Sequence, residues 1–244
     1  MGRRQQAHSN LTITPTTDPE LILDLPLDAE GATQDRVSGN WLTSGSPSTN
    51  TFTWSSDKGG YKLYKTNNLY SAGIYIDVYP STWSSIINTT NIHDDYTVMF
   101  DICTNATTRT NRYFHLFAPN TSTANCKLVL SLNVNTNGRD APSPHRKVST
   151  TWIRFVIYCT YPTDGSYFSQ TIYHKASGGR WGAGSTTVNP LLAAKATDDA
   201  NRIYILTATQ NNEQSNATVF PYMKNIKIWR GDAVSYAQAL NIPI

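Results

Sequence analysis

The residues best suited to chemistry lie on one face of a tryptophan-led run, Thr151 to Cys159. Positions along this run alternate between an apolar set and an aromatic and basic set. The apolar set is Ile153, Phe155 and Ile157, and the other set is Trp152, Arg154 and Tyr158. Aromatic rings stack on the apolar faces of sugars, and planar polar groups hydrogen-bond the hydroxyl groups. The aromatic and basic face is therefore a candidate glycan-binding surface.

Neighbouring strands would have to supply the remaining contacts to a sugar. The chemically suitable side chains in other runs are Asp101, Tyr113, His115 and Asn133. Trp181 and Trp83, in loop-like contexts, are second-choice contacts. These side chains form one site only if adjacent strands align in register. The alternative is that a loop or a neighbouring subunit covers the aromatic residues.

The chain provides few of the carboxyl groups that catalysis needs. Glutamate occurs only at Glu20, Glu30 and Glu213, in a polar arm, a turn and an Asn-rich loop. Glycosidic-bond hydrolysis uses a pair of carboxyl groups, so this chain would have to use aspartate alone. The sequence has no Gly-x-Ser-x-Gly or His-Glu-x-x-His motif, and its histidines have no metal-type spacing. We expect no catalytic residue, no metal site and no cofactor.

Two further motifs suggest chemistry but have simpler interpretations. The glycine-rich stretch 178–184 is followed by Ser185, where a phosphate-binding loop needs lysine, so we interpret it as a mobile loop. Asp94-Asp95 and Asp198-Asp199 lack the spaced oxygen ligands of a calcium loop. We interpret both acidic pairs as turn residues.

The elements that position these residues are predicted to be β-strands. The chain has 244 residues, of which 39% are hydrophobic and 15% charged, and it combines little Glu with much Asn, Ser, Thr and Tyr. This composition is typical of short strands joined by turns. Apolar runs alternate with turn residues, at 21–27, 52–54, 60–64, 73–79, 96–102, 112–117, 126–134, 151–159, 167–174, 202–209 and 222–229. No stretch is long enough for a crossover helix, so the pattern predicts antiparallel pairing.

Alternation also predicts which face of a strand is buried. In the run 96–102, the apolar set is Val98, Phe100 and Ile102, and the opposite set is Thr97, Met99 and Asp101. We expect the first set in the core and the second in water. A short helix is predicted over 233–240, with Asp232 as its N-cap.

The N-terminal segment differs from the rest of the chain. Residues 1–20 are polar, contain Pro15 and Pro19 and show no periodicity, so we expect an arm at 1–20 and one domain at 21–244. Arg3 and Arg4 in this arm are candidates for docking on a partner.

Charge and hydropathy restrict the classes of partner. A net charge of +3 without a Lys- and Arg-rich segment disfavours nucleic acid. No apolar stretch reaches the roughly 18 residues of a membrane span, so we expect no membrane insertion. Cys103, Cys126 and Cys159 lie in or beside apolar runs. They are interpreted as buried thiols of a protein made in a reducing cytoplasm.

The order of elements resembles a known fold family. The resemblance rests on an opening strand and Asp-containing turn at 23–31 leading to 35–40, the strand 96–102, the tryptophan-led strand 151–158, and the closing strand 223–230 before the helix 234–240. These segments are similar to those of the concanavalin A-like lectin and glucanase superfamily, which includes laminin-G-like domains. The resemblance implies an all-β, two-sheet antiparallel jelly-roll sandwich with a short C-terminal helix. Glucanases of this fold carry a Glu-x-Asp-x-(x)-Glu strand, which this chain lacks.

The resemblance and the polar arm together lead to a functional hypothesis. We expect a non-enzymatic virion surface protein of a bacteriophage, such as a capsid decoration, head fibre or tail-associated adhesin, made in the host cytoplasm. Its lectin-like domain would bind host cell-surface polysaccharide, and its arm would dock on other virion proteins within a homo-oligomer. The alternatives are a carbohydrate-binding module of a bacterial secreted protein and a degenerate glucanase-like enzyme.

Overall fold

A computed structural model describes residues 18–44, 51–64, 74–77, 95–104, 113–116, 130–133, 150–160, 169–187, 202–206 and 221–244. The strands in these ranges are β1 (Leu21–Leu25), β2 (Thr43–Ser44), β3 (Thr51–Ser55), β4 (Gly60–Tyr64), β5 (Ile74–Asp77), β6 (Tyr96–Thr104), β7 (Tyr113–Leu116), β8 (Leu130–Asn133), β9 (Ile153–Thr160), β10 (Ser169–Ala176), β11 (Gly182–Thr187), β12 (Arg202–Leu206) and β13 (Pro221–Arg230). One helix, α1 (Val234–Ala239), follows β13.

The described strands form two main antiparallel sheets, one large and one small, and a two-stranded sheet beside the small one. The large sheet has the order β11-β10-β9-β6-β13-β4-β3, and β1 also pairs with β13. The small sheet has the order β12-β5-β2, and β7 pairs with β8 in a separate two-stranded sheet. Sequence-distant strands such as β6 and β13 are neighbours, as the crossovers of a jelly roll require. The predicted all-β, two-sheet antiparallel jelly-roll sandwich with a short C-terminal helix is confirmed.

The main core lies between the large and small sheets. The large sheet contributes Val98, Phe100, Ile102, Phe155 and Ile157, and the small sheet contributes Ile74, Ile76 and Ile205. The rings of Phe100 and Phe155 stack with their centroids 5.5 Å apart. Full burial of an aliphatic or aromatic side chain of this size stabilises the fold by roughly 1.5–3 kcal/mol. Val98, Phe100 and Ile102 are therefore core residues, as their alternation predicted.

The opposite face of the large sheet is covered as well. Helix α1 packs Ala237 and Val234 onto Met99, Val156 and Trp229. All nine residues of β6 are consequently buried, including Thr97, Met99 and Asp101. The expectation that this set faces water was wrong, because the helix and the residues after it bury it. We call this helix-covered side of the large sheet the outer face.

Hydrogen bonds to β6 fix the start of α1. The Thr97 hydroxyl donates to the carbonyl of Gly231 at 2.8 Å and accepts the N–H of Ala233 at 2.9 Å. The N-cap is Ala233 rather than the predicted Asp232, whose carboxylate instead accepts the N–H of Val234 at 3.0 Å. The short helix therefore depends on tertiary contacts, because a single turn has little stability alone.

The glycine-rich stretch predicted to be a mobile loop is ordered in a hairpin. Its first part forms the turn between β10 and β11, and its last part belongs to β11. Gly178 adopts a φ of 72°, and the N–H of Gly179 donates to the carbonyl of Ala176 at 2.8 Å. A positive φ is accessible to glycine without a steric penalty, so this residue allows the tight return.

Cys103 and Cys159 are buried thiols, as predicted, whereas Cys126 lies outside the described residues. No helix in the part of the chain that the structure describes is long and apolar enough to cross a membrane.

Candidate functional site

A buried ion pair lies at the centre of the outer face. The antiparallel register of β6 and β9 places Asp101 opposite Arg154. The guanidinium donates from Nε to Oδ1 of Asp101 at 2.7 Å and from Nη2 to Oδ2 at 2.8 Å. Only 4% of the Arg154 side chain and none of the Asp101 side chain is exposed. Such a two-pronged pair is both directional and strong when it is removed from water.

Asn225 completes this buried polar group. The residue occupies a bulge of β13, where the register with β6 shifts between Lys224 and Lys227, and its φ is 55°. Asparagine tolerates this left-handed conformation better than most residues with a side chain. Its Nδ2 donates to Oδ2 of Asp101 at 2.8 Å. Asp101 therefore accepts hydrogen bonds from two strands at once.

The same donors hold the segment after α1, residues 240–244, which we call the tail. Arg154 Nη1 donates to the carbonyl of Ile242 at 2.8 Å, and Nη2 donates to that of Pro243 at 3.3 Å. Asn225 Nδ2 lies 3.4 Å from the carbonyl of Pro243. The chain itself therefore covers Asp101 and Arg154, which were expected on an open face. Their hydrogen-bonding groups bind other parts of the same chain. This corresponds to the alternative interpretation of the sequence, in which a loop covers this face.

Tyr158 is also engaged within the chain. Its hydroxyl donates to Oδ2 of Asp95 at 2.6 Å, and its ring packs against the cluster under α1. Burial, followed by the hydrogen bond to the Asp95 carboxylate, raises the pKa of Tyr158. The phenol is half-buried and stays neutral at physiological pH.

Trp152 has a partly structural position at the edge of the outer face. Its indole N–H donates to the carbonyl of Lys58 at 2.9 Å. Gly60 lies so close that an added Cβ would be 2.7 Å from Cη2 of the ring. The ammonium of Lys224 stands 4.7 Å from the ring centroid, in the range of a cation–π contact. The ring remains half-buried.

A pocket of about 330 Å³ opens beside the tail, and we call it the tail pocket. Its walls are the edge of β9, the β10–β11 hairpin and the tail itself. Trp181 contributes its half-buried ring, and the ammonium of Lys175 lies 6.0 Å from the ring centroid. Ser177, Gln238 and Asn241 add hydroxyl and amide groups. Of the predicted candidates, Trp181 and Arg154 line this pocket.

The other candidates are placed elsewhere or lie outside the description. The backbones of Tyr113, His115 and Asn133 belong to the β7–β8 sheet, where Tyr113 is opposite Asn133. Strand β7 lies beside β12 of the small sheet, across the core from the tail pocket. The structure therefore does not bring these residues to the face of Trp152. Arg3, Arg4 and Trp83 lie outside the described residues.

Sequence reasoning missed two lysines at the site and one exposed tryptophan away from it. Lys175 and Lys224 occupy positions opposite Arg154 and Asp101 in neighbouring strands, and this register was the missing information. Trp41, in the loop after β1, was also missed and is 57% exposed. Its position in a polar, turn-rich segment was the available signal for exposure.

The lining residues that the structure describes include no aspartate or glutamate. The charged side chains of this described lining are Lys175 and Arg154, and Arg154 is paired with Asp101. Among the described residues, no group of three His, Cys, Asp or Glu side chains is placed to hold a metal ion. The described walls of the pocket can therefore stack an aromatic ring on a ligand, donate hydrogen bonds to it and attract a negative charge on it.

No family model and no curated protein matches the chain. Similar solved structures include an alginate lyase from Aplysia kurodai, with 13% identity over 88% of this chain and 100% of the other and a TM-score of 0.42. Peanut lectin shares 11% identity over 86% of this chain and 97% of the lectin, with a TM-score of 0.46.

The binding domain of botulinum neurotoxin serotype C1 shares 9% identity over 90% of this chain and 51% of the toxin domain, with a TM-score of 0.47. The chain thus spans about half the length of that domain. Identities this low assign no function to this chain.

Proposed function

We propose that this protein is a carbohydrate-binding module that holds a glycan in the tail pocket without cleaving it. The observation that carries the proposal is the half-buried Trp181 ring in a pocket whose rim supplies amide, hydroxyl and ammonium groups. Sugars are recognised by this combination, since the ring covers their C–H face and the polar groups bond the hydroxyls.

The size of the pocket supports a small, partly enclosed ligand. A volume of about 330 Å³ is at the lower end of the roughly 300–1,000 Å³ of small-molecule sites. One or two sugar rings of a longer chain would occupy it, with the rest of the polysaccharide in solvent. A shallow site of this kind fits retention of a polymer rather than enclosure of a whole ligand.

Binding without cleavage is supported by the side chains of the described pocket walls. Hydrolysis of a glycosidic bond requires an acid and a second carboxyl group on either side of that bond. Asp101, the carboxylate that pairs with Arg154 of the pocket wall, is fully buried and occupied by Arg154 and Asn225. An enzyme working here would have to break that ion pair first, which makes hydrolysis in this pocket the weaker hypothesis.

Substitution of Trp181 tests the proposal. Trp181→Ala should weaken binding to the best ligand on a glycan array by about three- to tenfold, the loss expected for one aromatic stacking contact. Trp181→Phe should retain most of the affinity, because a ring remains. Trp41→Ala is the control, since it removes an exposed tryptophan that lies just before β2 of the small sheet and does not line the pocket. Urea unfolding of each variant verifies the fold.

The proposal fails if Trp181→Ala binds like the unmodified protein. A loss in Trp41→Ala instead would move the site to the loop after β1. Release of reducing sugar from any bound polysaccharide, lost on substitution of an aspartate, would replace binding by hydrolysis.

We further propose that the module is displayed on a virion surface. The buried thiols Cys103 and Cys159 support synthesis in a reducing cytoplasm, which such a protein requires. Capsid or tail genes beside its gene would support this setting, and genes for secreted glycanases would contradict it.

A further inference from the structure

We propose that the ligand of the tail pocket is an anionic polysaccharide, recognised by two lysine–tryptophan pairs on the outer face. This inference rests on the proposed glycan binding and narrows it to one chemical class. The first pair is Lys175 with Trp181, and the second is Lys224 with Trp152.

The two lysines belong to one row of residues across four neighbouring strands. Lys175 of β10 is opposite Arg154 of β9, which is opposite Asp101 of β6, which is opposite Lys224 of β13. Directly opposed residues of antiparallel strands project from the same face. Neighbouring strands lie about 4.8 Å apart, so the backbones of the two lysines are about 14 Å apart. Consecutive sugars of a polysaccharide can span such a separation.

The charges of this row do not cancel. In the middle of the row, the negative charge of Asp101 is neutralised by its ion pair with Arg154. The row therefore carries the two lysine ammonium groups in excess. Among the described residues, neither ammonium forms an ion pair, and each one's aromatic partner is a tryptophan ring. Arg180, exposed beside Trp181, adds a further positive charge at the hairpin. This row thus attracts anions on both sides of the tail.

Each pair suits an acidic sugar better than a neutral one. Each ammonium stands over an indole ring, so a sugar that stacks on that ring displaces the ammonium to the ring edge. From there the ammonium can pair with a carboxylate or sulfate on the same sugar. A neutral sugar could stack on the indole ring, but it would offer the ammonium no ionic partner. Carboxylated and sulfated sugars share this anionic chemistry, and both are compatible with the pairs.

The test measures binding of polygalacturonate, dextran sulfate and neutral dextran by affinity gel electrophoresis at about 20 and 200 mM NaCl. The variants are Lys175→Gln, Lys224→Gln and the double variant. Arg230→Gln is the matched control, because it removes the same charge from the other end of β13, about 20 Å from Lys224. Thermal unfolding of every variant verifies that the fold is intact.

The unmodified protein should bind at least one of the acidic polymers, and the higher salt should weaken that binding. Each single lysine variant should lose about fivefold in affinity and the double variant about 25-fold, since the two sites are too far apart to couple strongly. Arg230→Gln should stay within about twofold. Binding of polygalacturonate alone or dextran sulfate alone would identify the anionic group.

Two different failures can be told apart. Equal binding of neutral dextran, or an unchanged affinity in the double lysine variant, overturns the anionic class while glycan binding itself stands. Absence of binding to these polymers and to every sugar of a glycan array overturns the proposed function together with this inference.

Discussion

Replacement of Arg154 by methionine should destabilise the domain by about 4 kcal/mol. The variant keeps an unbranched apolar stem, removes the guanidinium and leaves Asp101 fully buried with only the amide of Asn225 as a described side-chain donor. Removal of one partner from a buried ion pair costs roughly 3–5 kcal/mol, because the remaining charge has lost its compensation. The carbonyls of Ile242 and Pro243 also lose the hydrogen bonds that Arg154 donates. Their loss adds little, since the tail is partly exposed and water can replace the donors.

Urea unfolding followed by tryptophan fluorescence measures this effect. With a denaturant dependence of about 2 kcal/mol/M, a loss of 4 kcal/mol lowers the midpoint by about 2 M. The control is Arg230→Gln, which breaks the pair between Arg230 and Glu20, with 29% and 58% of the two side chains exposed. An exposed pair contributes at most about 1 kcal/mol, so this variant should unfold near the midpoint of the unmodified protein.

A double variant separates the charge from the contacts. Asp101→Leu combined with Arg154→Met removes both charges and should be less destabilised than Arg154→Met alone, since no buried charge remains unpaired. The reasoning is refuted if Arg154→Met and Arg230→Gln shift the midpoint equally. It is also refuted if the double variant loses the sum of the two single losses.

Two further perturbations follow from the described contacts. Gly60→Ala should destabilise the domain by about 1–3 kcal/mol, because the new Cβ would lie 2.7 Å from Cη2 of Trp152. Thermal unfolding measures this loss, and an unfolding temperature equal to that of the unmodified protein would contradict the close approach. Stability should fall between about pH 9 and 11, because burial raises the pKa of Cys103 to about 11 while the unfolded chain loses its thiol proton near pH 8.5. Cys103→Ala should flatten this fall in urea titrations at increasing pH, and an unchanged slope would show that the thiol does not cause it.

The strands were largely predictable because their signal is local. Alternation in the run 96–102 identified β6, and the tryptophan-led run identified β9 to within a few residues. The strands β2 and β11 were missed, since β2 has two residues and β11 reads Gly-Ala-Gly-Ser-Thr-Thr with no apolar alternation. Pairing with β10 supplies the backbone hydrogen bonds that make this glycine-rich segment a strand.

The site was predictable only in part. Trp181 and Trp152 were identified as aromatic residues outside the core, and the structure leaves both half-buried. Lys175 and Lys224 were not identified, because only the register between paired strands places them in one row with Arg154 and Asp101. Lys224 is more than 100 residues from Asp101 in sequence and directly opposite it in the sheet.

By itself, the sequence determined the all-β class, most strands, the two sets of side chains on each strand and the helix at the end of the domain. The two-residue alternation along a strand shows which side chains share a face, but it does not show what packs against either face. Only the tertiary structure decided that α1 and the tail cover one side of the large sheet. Burial then turned Asp101 and Arg154 from expected sugar contacts into an internal ion pair, because charges removed from water must be compensated within the fold.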